Sequence, residues 1–128
     1  MNTQVTNGIK VSVETFYQDE YSRPEENKYV FAYRITLENT SFQTVQLLRR
    51  HWRIIDSIGD IKEVEGEGVI GVQPILKSGE IHKYASWSQL SSDMGKMFGD
   101  YTFSNLLTNE LFRVEIPEFN LIVPFKNN

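Results

Sequence analysis

The stretch KYVFAYRITLEN, residues 28–39, decides the fold class of this chain. Large apolar side chains occupy every second position from Tyr29 to Leu37, and polar residues such as Arg34 and Glu38 lie between them. A period of two is typical of a β-strand with one face packed and the other in water. The same alternation in GIKVSVETFYQ, residues 8–18, predicts a second strand of this kind.

The rest of the chain repeats short apolar segments separated by turn residues. Helix is predicted only within residues 88–99, where Gly95 and Gly99 limit it to about two turns. Further strands are predicted at residues 45–56, 61–68, 69–76, 80–87, 101–107, 111–116 and 120–125, with a turn at Pro117-Glu118 before the last of them. Seven or more short strands at this spacing predict an all-β fold, an immunoglobulin-like or fibronectin-type-III-like antiparallel sandwich.

One hairpin can be predicted in more detail, with segments 45–57 and 61–69 pairing around a three-residue loop, Ile58–Asp60. This register forms an apolar face, which includes Trp52 as a core residue, and a face of opposite charges. The facing pairs are Ile54 with Val64, Trp52 with Gly66, Arg53 with Glu65, and His51 with Glu67.

Arg50 is the exception in this hairpin, because it points to the apolar side, opposite Gly68 in the proposed register. An arginine there must be paired or must reach water. We favour a guanidinium that bonds backbone carbonyls at the end of the sheet. The alternative is a guanidinium that receives an incoming anion.

Length and composition set the class of protein. The 128 residues predict one domain, residues 1–128. The net charge of −4 argues against a nucleic-acid partner, since phosphate binding usually requires a basic excess. Cysteine is absent, which excludes disulfides and thiolate chemistry. The sequence shows no membrane span or secretory signal, so we expect a cytoplasmic protein, monomeric or homodimeric.

The glycine-rich segment Gly66-Glu67-Gly68-Val69-Ile70-Gly71 matches GxGxxG. The dinucleotide-binding use of this motif requires a helix after the glycines, whereas Pro74 and its neighbours predict extended chain. Glycines that form a bulge or bend in a strand are therefore the favoured interpretation. An anion-binding turn built from Gly66, Gly68 and Gly71 together with Arg50 remains the alternative.

No catalytic constellation is recognisable, and the chain is predicted to be a non-enzymatic protein without a cofactor. His51 and His82 do not have the spacing of a zinc motif. Glu63, Glu65 and Glu67 share one strand face, but same-face residues about 6–7 Å apart are too spread to converge on one metal ion.

Aromatic residues in and near segment 80–101 are candidates for partner binding: Tyr84, Trp87, Phe98 and Tyr101. Exposed aromatic side chains of this kind often dominate the energy of a protein interface. Packing of the same residues over an open end of the sandwich is an equal alternative.

The chain resembles the ApaG family, which also occurs as a domain of certain eukaryotic F-box proteins and of a polymerase-interacting protein. The resemblance covers about residues 9–125, nearly the whole chain. The matching stretches are VQLLRRHW at 45–52, EVEGEGVIGVQP at 63–74, GE at 79–80, MFGDY at 97–101 and FRVEIPEF at 112–119. After Tyr84 the chain reads Ala85-Ser86-Trp87, where the family usually has a small residue after the serine.

The resemblance implies a fibronectin-type-III-like sandwich and a bacterial cytoplasmic protein without established enzyme activity. It also implies a link to cobalt resistance and magnesium efflux. We therefore expect a non-enzymatic module that binds an unidentified protein partner. The alternative ligand is a phosphate-containing small molecule, such as pyrophosphate, a nucleotide or diadenosine tetraphosphate, bound at the GxGxxG segment.

Overall fold

The computed structural model describes residues 1–124 and is built almost entirely of strands. Two three-residue 3-10 helices, Asp19–Tyr21 and Pro24–Glu26, lie between the second and third strands. The strands are β1 Asn2–Thr6, β2 Ile9–Tyr17, β3 Tyr29–Asn39, β4 Val45–Asp56, β5 Ile61–Glu67, β6 Ile75–Leu76, β7 Ile81–Leu90, β8 Met94–Asn105 and β9 Leu111–Ile122.

The strands form two antiparallel sheets. The first sheet has the order β1-β2-β3-β7, and the second has the order β5-β4-β8-β9, with β6 paired to one end of β4. The predicted all-β antiparallel sandwich is confirmed. None of the helical turns in residues 1–124 has the length and apolar character needed to cross a membrane.

The core lies between the sheets and follows the alternation seen in the sequence. Every second residue of β3 from Phe31 to Leu37 is at most 6% exposed, and Trp52 is 3% exposed. The inward positions of β4 change parity at a bulge between Leu47 and Arg49. Because of this bulge, Leu47 and Trp52 both face the core although one number is odd and the other even.

The predicted β4–β5 register is wrong by two residues. In the structure Trp52 faces Val64 and Arg50 faces Gly66, because the loop consists of Ser57–Gly59 and Asp56 pairs with Asp60. A shift of two residues preserves the faces of the strands, so the apolar and charged sides remain as expected. The charge pairs change accordingly, with Arg53 on Glu63 and His51 between Glu63 and Glu65.

The predicted helix within residues 88–99 is also wrong, since β7 and β8 form a hairpin there. Gly95 and Gly99 mark close approaches of two backbones in the sheet. A Cβ atom at Gly99 would lie 2.1 Å from the carbonyl oxygen of His51, and one at Gly95 would lie 2.5 Å from that of Ile55. Glycine therefore serves strand packing at these positions.

Three other segments differ from the sequence prediction. The expected strand 69–76 is a turn followed by the short β6, and β1 was not predicted. Segments 111–116 and 120–125 join as one strand, β9, in which Pro117 lies where the β8–β9 register shifts, so no turn is needed. Residue 125 lies outside the described residues.

The two lateral sides of the sandwich differ. On one side, β1 and the turn after it contact β9 through side-chain hydrogen bonds, Asn2 Nδ2 to the Glu118 carbonyl at 2.6 Å and Asn7 Nδ2 to the Arg113 carbonyl at 2.8 Å. We call this the closed side. On the other side, the edge strands β5 and β7 border a cavity, and we call this the open side.

Candidate binding site on the open side

The candidate site is a cavity of about 210 Å³ on the open side, which we call the cleft. Sheet 1 contributes inward side chains of β3 and β7, and sheet 2 contributes β4 and the glycine-rich segment. Its lining consists of Tyr33, Arg50, Trp52, Glu67, Val69, Ile70, Gly71, Tyr84 and Ser86.

The glycines of the GxGxxG segment shape one wall of the cleft. Gly66 lies under the Arg50 guanidinium, and a Cβ atom there would be 2.9–3.0 Å from its Nη1, Cζ and Nη2 atoms. Gly68 has φ +62°, and a Cβ atom there would lie 2.2 Å from the carbonyl oxygen of Val72. Both glycines therefore allow close approaches that a side chain would block, and the chain after Gly71 continues as extended backbone to β6.

Ile70 and Gly71 form a tight two-residue turn, closed by reciprocal hydrogen bonds between Val69 and Val72 of 2.8 and 3.1 Å. Both turn residues have positive φ, +46° for Ile70 and +76° for Gly71. A β-branched residue rarely adopts this conformation, and such strain concentrates at ligand sites. The N–H groups of Ile70 and Gly71 have no acceptor within residues 1–124.

Arg50 lies at the base of the cleft. Its Nη1 donates to the carbonyl oxygens of Glu67 and Gly68, each at 3.0 Å. The guanidinium thus bonds backbone carbonyls at the end of β5, as the sequence analysis favoured. Within residues 1–124, Arg50 forms no ion pair with a carboxylate, and its Nη2 and Nε groups have no hydrogen-bond acceptor. The cleft therefore contains a partly buried positive charge with spare donors.

Three tyrosine hydroxyls lie close to this charge. Tyr84 and Tyr101 bond each other through their hydroxyls at 2.5 Å, and Tyr33 lies opposite Ser86 in the lining of the cleft. Burial raises the pKa of all three tyrosines above the ordinary value, and the Arg50 charge opposes this effect. The phenols consequently stay neutral and can donate or accept hydrogen bonds near the guanidinium.

A second feature lies beside the cleft, on the outer face of β7. The Trp87 side chain is 51% exposed and packs edge to face on Tyr21, which is 56% exposed, with ring centres 4.9 Å apart. A hollow of about 340 Å³ adjoins the two rings and is also lined by Lys28, Val30 and Gln89. We call Tyr21, Trp87 and this hollow the aromatic surface.

The four aromatic residues proposed for partner binding do not form one surface. Tyr101 is fully buried, and Tyr84 is directed inward beside it. Trp87 lies on the outer face of sheet 1. Phe98 lies opposite Arg53 on the outer face of sheet 2 and is partly buried. All four are in strands, where alternation sends neighbouring side chains to opposite faces.

Sequence reasoning missed several residues of the site. Tyr33 and Ser86 line the cleft but belong to strands far apart in sequence. The alternation of each strand can predict that these side chains point inward, but not that they lie close together. Tyr21 lies between the strands predicted within residues 8–18 and 28–39, where the sequence analysis predicts no element. Its contact with Trp87 depends on the 3-10 turn Asp19–Tyr21 folding back over sheet 1.

The charged outer face of β5 is a separate feature. His51 Nε2 lies 3.5 Å from a carboxylate oxygen of Glu63 and 3.5 Å from one of Glu65. Arg53 Nε lies 3.3 Å from Glu63. Within residues 1–124, no set of three or more histidine and acidic side chains has the arrangement of a metal site.

The fold and the cleft together define a β-sandwich protein of the binding type. Comparison with known proteins gives the family. A family model described as "ApaG domain" matches residues 19–105. Protein ApaG of Brucella anthropi is 47% identical over 124 residues, covering 97% of this chain and 95% of that protein. Protein ApaG of Brucella canis is 45% identical with the same coverage.

Solved structures agree with the sequence comparison. A crystal structure described as the putative ApaA protein from Bordetella pertussis superposes with a TM-score of 0.87 at 38% identity, covering 95% of each chain. A second structure, a structural-genomics target, has a TM-score of 0.86 at 35% identity and covers 93% of this chain and 89% of its own. The chain belongs to the ApaG family, and none of these comparisons indicates a catalytic activity.

Proposed function

We propose that this chain is a non-enzymatic binding domain that recognises another protein through the open side and the adjoining aromatic surface. The observation that carries the proposal is the exposed Trp87–Tyr21 pair next to a hollow of about 340 Å³. Two aromatic side chains that are about half exposed beside an edge strand are of the kind that protein–protein interfaces bury. The link to cobalt resistance and magnesium efflux that the resemblance implies would then act through the partner.

Site-specific photo-cross-linking in cells tests this proposal. A photoreactive amino acid at Gln89, which lines the hollow, should give an adduct with a partner protein. Trp87→Ala in the same protein should abolish the adduct. The matched control carries the photoreactive residue at Val5 on the closed side and should give none. An adduct of two copies of this chain would identify a homodimer. Equal adducts at Gln89 and Val5, or none at Gln89, would refute the proposal.

A second candidate function is the binding of a phosphate-containing small molecule in the cleft. The observation in its favour is the Arg50 guanidinium, which has spare donors and no carboxylate partner within residues 1–124. Ile70 and Gly71 also line the cleft, and their N–H groups have no acceptor within residues 1–124. Backbone and guanidinium donors together are suited to a multiply charged oxyanion.

Thermal melting with pyrophosphate, ATP and diadenosine tetraphosphate tests the second candidate. A ligand at 100 times its dissociation constant should stabilise the fold by about 2.7 kcal/mol. Arg50→Met should remove the shift, whereas Arg113→Met on the closed side should retain it. If millimolar ligand leaves the melting temperature of the wild-type protein unchanged, the cleft does not bind these molecules.

A further inference from the structure

We infer that the partner is recognised as an extended acidic segment that adds as a fifth strand to the free edge of β7. This inference rests on the proposed protein-binding function and specifies its mode. It is carried by the backbone pattern of β7, by the contrast with the other edge strands, and by the charge in the cleft.

The backbone of β7 leaves alternate groups unpaired. Asn39 N–H donates to the Glu80 carbonyl, and Gln18 N–H donates to the Val30 carbonyl. Antiparallel ladders alternate between bonded and non-bonded pairs. These two bonds show that the even-numbered residues of β3 form their backbone hydrogen bonds with β2. The odd-numbered residues of β3 therefore bond to the even-numbered residues of β7. The N–H and C=O groups of Lys83, Ala85 and Trp87 consequently face away from the sheet.

The other edge strands are protected, whereas β7 is not. On the closed side, β1 and β9 cover each other. On the open side, four of the seven residues of β5 are charged, which discourages strand addition. In β7, Lys83 is the only lysine, arginine or acidic residue among the ten residues of the strand. No other strand within residues 1–124 pairs with its outer edge.

The two faces of β7 define the chemistry of the added strand. Residues that face each other across a ladder direct their side chains to the same side of the sheet. A partner residue opposite Ser86 would send its side chain into the cleft, where Arg50 has unpaired donors. The neighbouring partner residue, opposite Trp87, would lie on the outer face against the indole. The fitting segment therefore has an acidic residue next to an apolar or aromatic one.

Charge supports this choice of occupant. Arg50 is not neutralised by a carboxylate within residues 1–124, and Lys83 lies on the same strand edge. A carboxylate from the partner would complete the half-satisfied guanidinium with charge-assisted hydrogen bonds. Addition of a strand supplies backbone hydrogen bonds for affinity, and the alternate side chains supply specificity.

Selection from a random-peptide display library on the full chain tests the inference. We expect enriched peptides to contain an acidic residue adjacent to an aromatic or aliphatic one. Synthetic copies should bind in solution and protect the amides of Lys83, Ala85 and Trp87 from hydrogen exchange. Replacing the peptide's acidic residue by its amide should weaken binding at least about ten-fold while leaving the protein unchanged.

Two proline variants separate edge pairing from surface contact. Ala85→Pro removes an outward N–H without breaking the β3–β7 ladder, so the fold should persist while binding weakens at least about ten-fold. Val5→Pro, in the edge strand of the closed side, should leave binding unchanged. Thermal melting of both variants verifies that they fold.

The outcomes distinguish this inference from the proposed function. Peptides that require Trp87 but tolerate Ala85→Pro would retain protein binding and overturn strand addition. Peptides that protect β5 or the closed side would also overturn it, as would enrichment without an acidic residue or no enrichment at all. A failure of the Gln89 cross-link would refute the proposed function independently.

Discussion

The closed and open sides of this sandwich solve the problem of exposed strand edges in different ways. On the closed side, β1 lies against β9, with asparagine side chains bonded to backbone carbonyls at Glu118 and Arg113. On the open side, β5 and β7 stay apart, and the space between them contains Arg50. Within residues 1–124, the edge strands of the closed side cover each other, whereas the open side contains a charge whose hydrogen-bond partners are backbone carbonyls.

This difference is the reason for placing the proposed function on the open side. Packing alone would favour covering both pairs of edges, since an exposed edge invites aggregation. The open side instead combines spare donors, a strained turn at Ile70 and half-exposed rings at Trp87 and Tyr21. Features that cost stability and remain on one side only are typical of a binding site.

The largest expected loss of stability is that of a substitution at Gly68, in the wall of the cleft. Gly68→Ala should destabilise the fold by about 3 kcal/mol, because it adds left-handed strain and pushes a Cβ atom against the Val72 carbonyl. Gly71→Ala is the matched control, with positive φ but nothing within 4 Å, and should cost only about 1 kcal/mol. Urea unfolding measures both, and equal losses would contradict the close approach.

Arg50→Met should have the next largest effect, a loss of about 2 kcal/mol, since two charge-assisted bonds to backbone carbonyls disappear. Arg113→Met on the closed side removes exposed pairs with Glu115 and Asp100 and should cost much less stability than Arg50→Met. Chemical denaturation of the two variants gives the comparison. If Arg113→Met proves the more damaging change, the contrast between the two sides fails.

Alkaline pH should destabilise the fold through the three buried tyrosines near Arg50. Burial raises the pKa of Tyr33, Tyr84 and Tyr101 in the folded state, so their stabilising effect is complete below pH 10 and is lost as pH rises towards the folded-state values. Unfolding free energy should fall by about 1.4 kcal/mol per pH unit for each tyrosine that stays neutral. Melting curves against pH measure this slope. Tyr84→Phe should reduce it, and a slope that does not change would argue against burial of this hydroxyl.

A smaller effect is expected on the closed side at Asn7, which combines φ +51° with the bond to the Arg113 carbonyl. Asn7→Gly keeps the turn and loses only that bond, so it should cost about 1 kcal/mol. Asn7→Ala adds left-handed strain and should cost somewhat more. Thermal melting ranks the variants. Peptide binding on the open side should be the same in both, and any loss of binding would mean that the two sides are coupled.

Much of the fold was predictable because alternation is strong in β2 and β3, and in β3 it continues without a break from Phe31 to Asn39. The hairpin between β7 and β8 was missed because Gly95 and Gly99 look like helix limits, and their reason, contact with the β4 backbone, is a tertiary one. The prediction assigned the side chains of β4 and β5 to the correct faces although the register was wrong. Alternation along a strand decides which face a side chain takes, whereas the length of the loop decides which residues pair.

The candidate site was predictable only in part. The inward direction of Arg50 followed from strand parity, and its bonds to carbonyls at the end of β5 agree with the favoured interpretation. The pairing of Tyr84 with Tyr101, and of Trp87 with Tyr21, joins strands or turns that are distant in sequence. The periodicity of a strand does not predict which inward side chains of the two sheets will contact each other.

The most direct test of the account is the hydrogen-exchange rate of single amides in β7 of the free protein. An unpaired edge predicts that Lys83, Ala85 and Trp87 exchange at least about ten-fold faster than Tyr84, Ser86 and Ser88, whose amides bond to β3. Uniform protection along β7, or slower exchange at the odd-numbered positions, would show that the edge is already covered and would contradict the account.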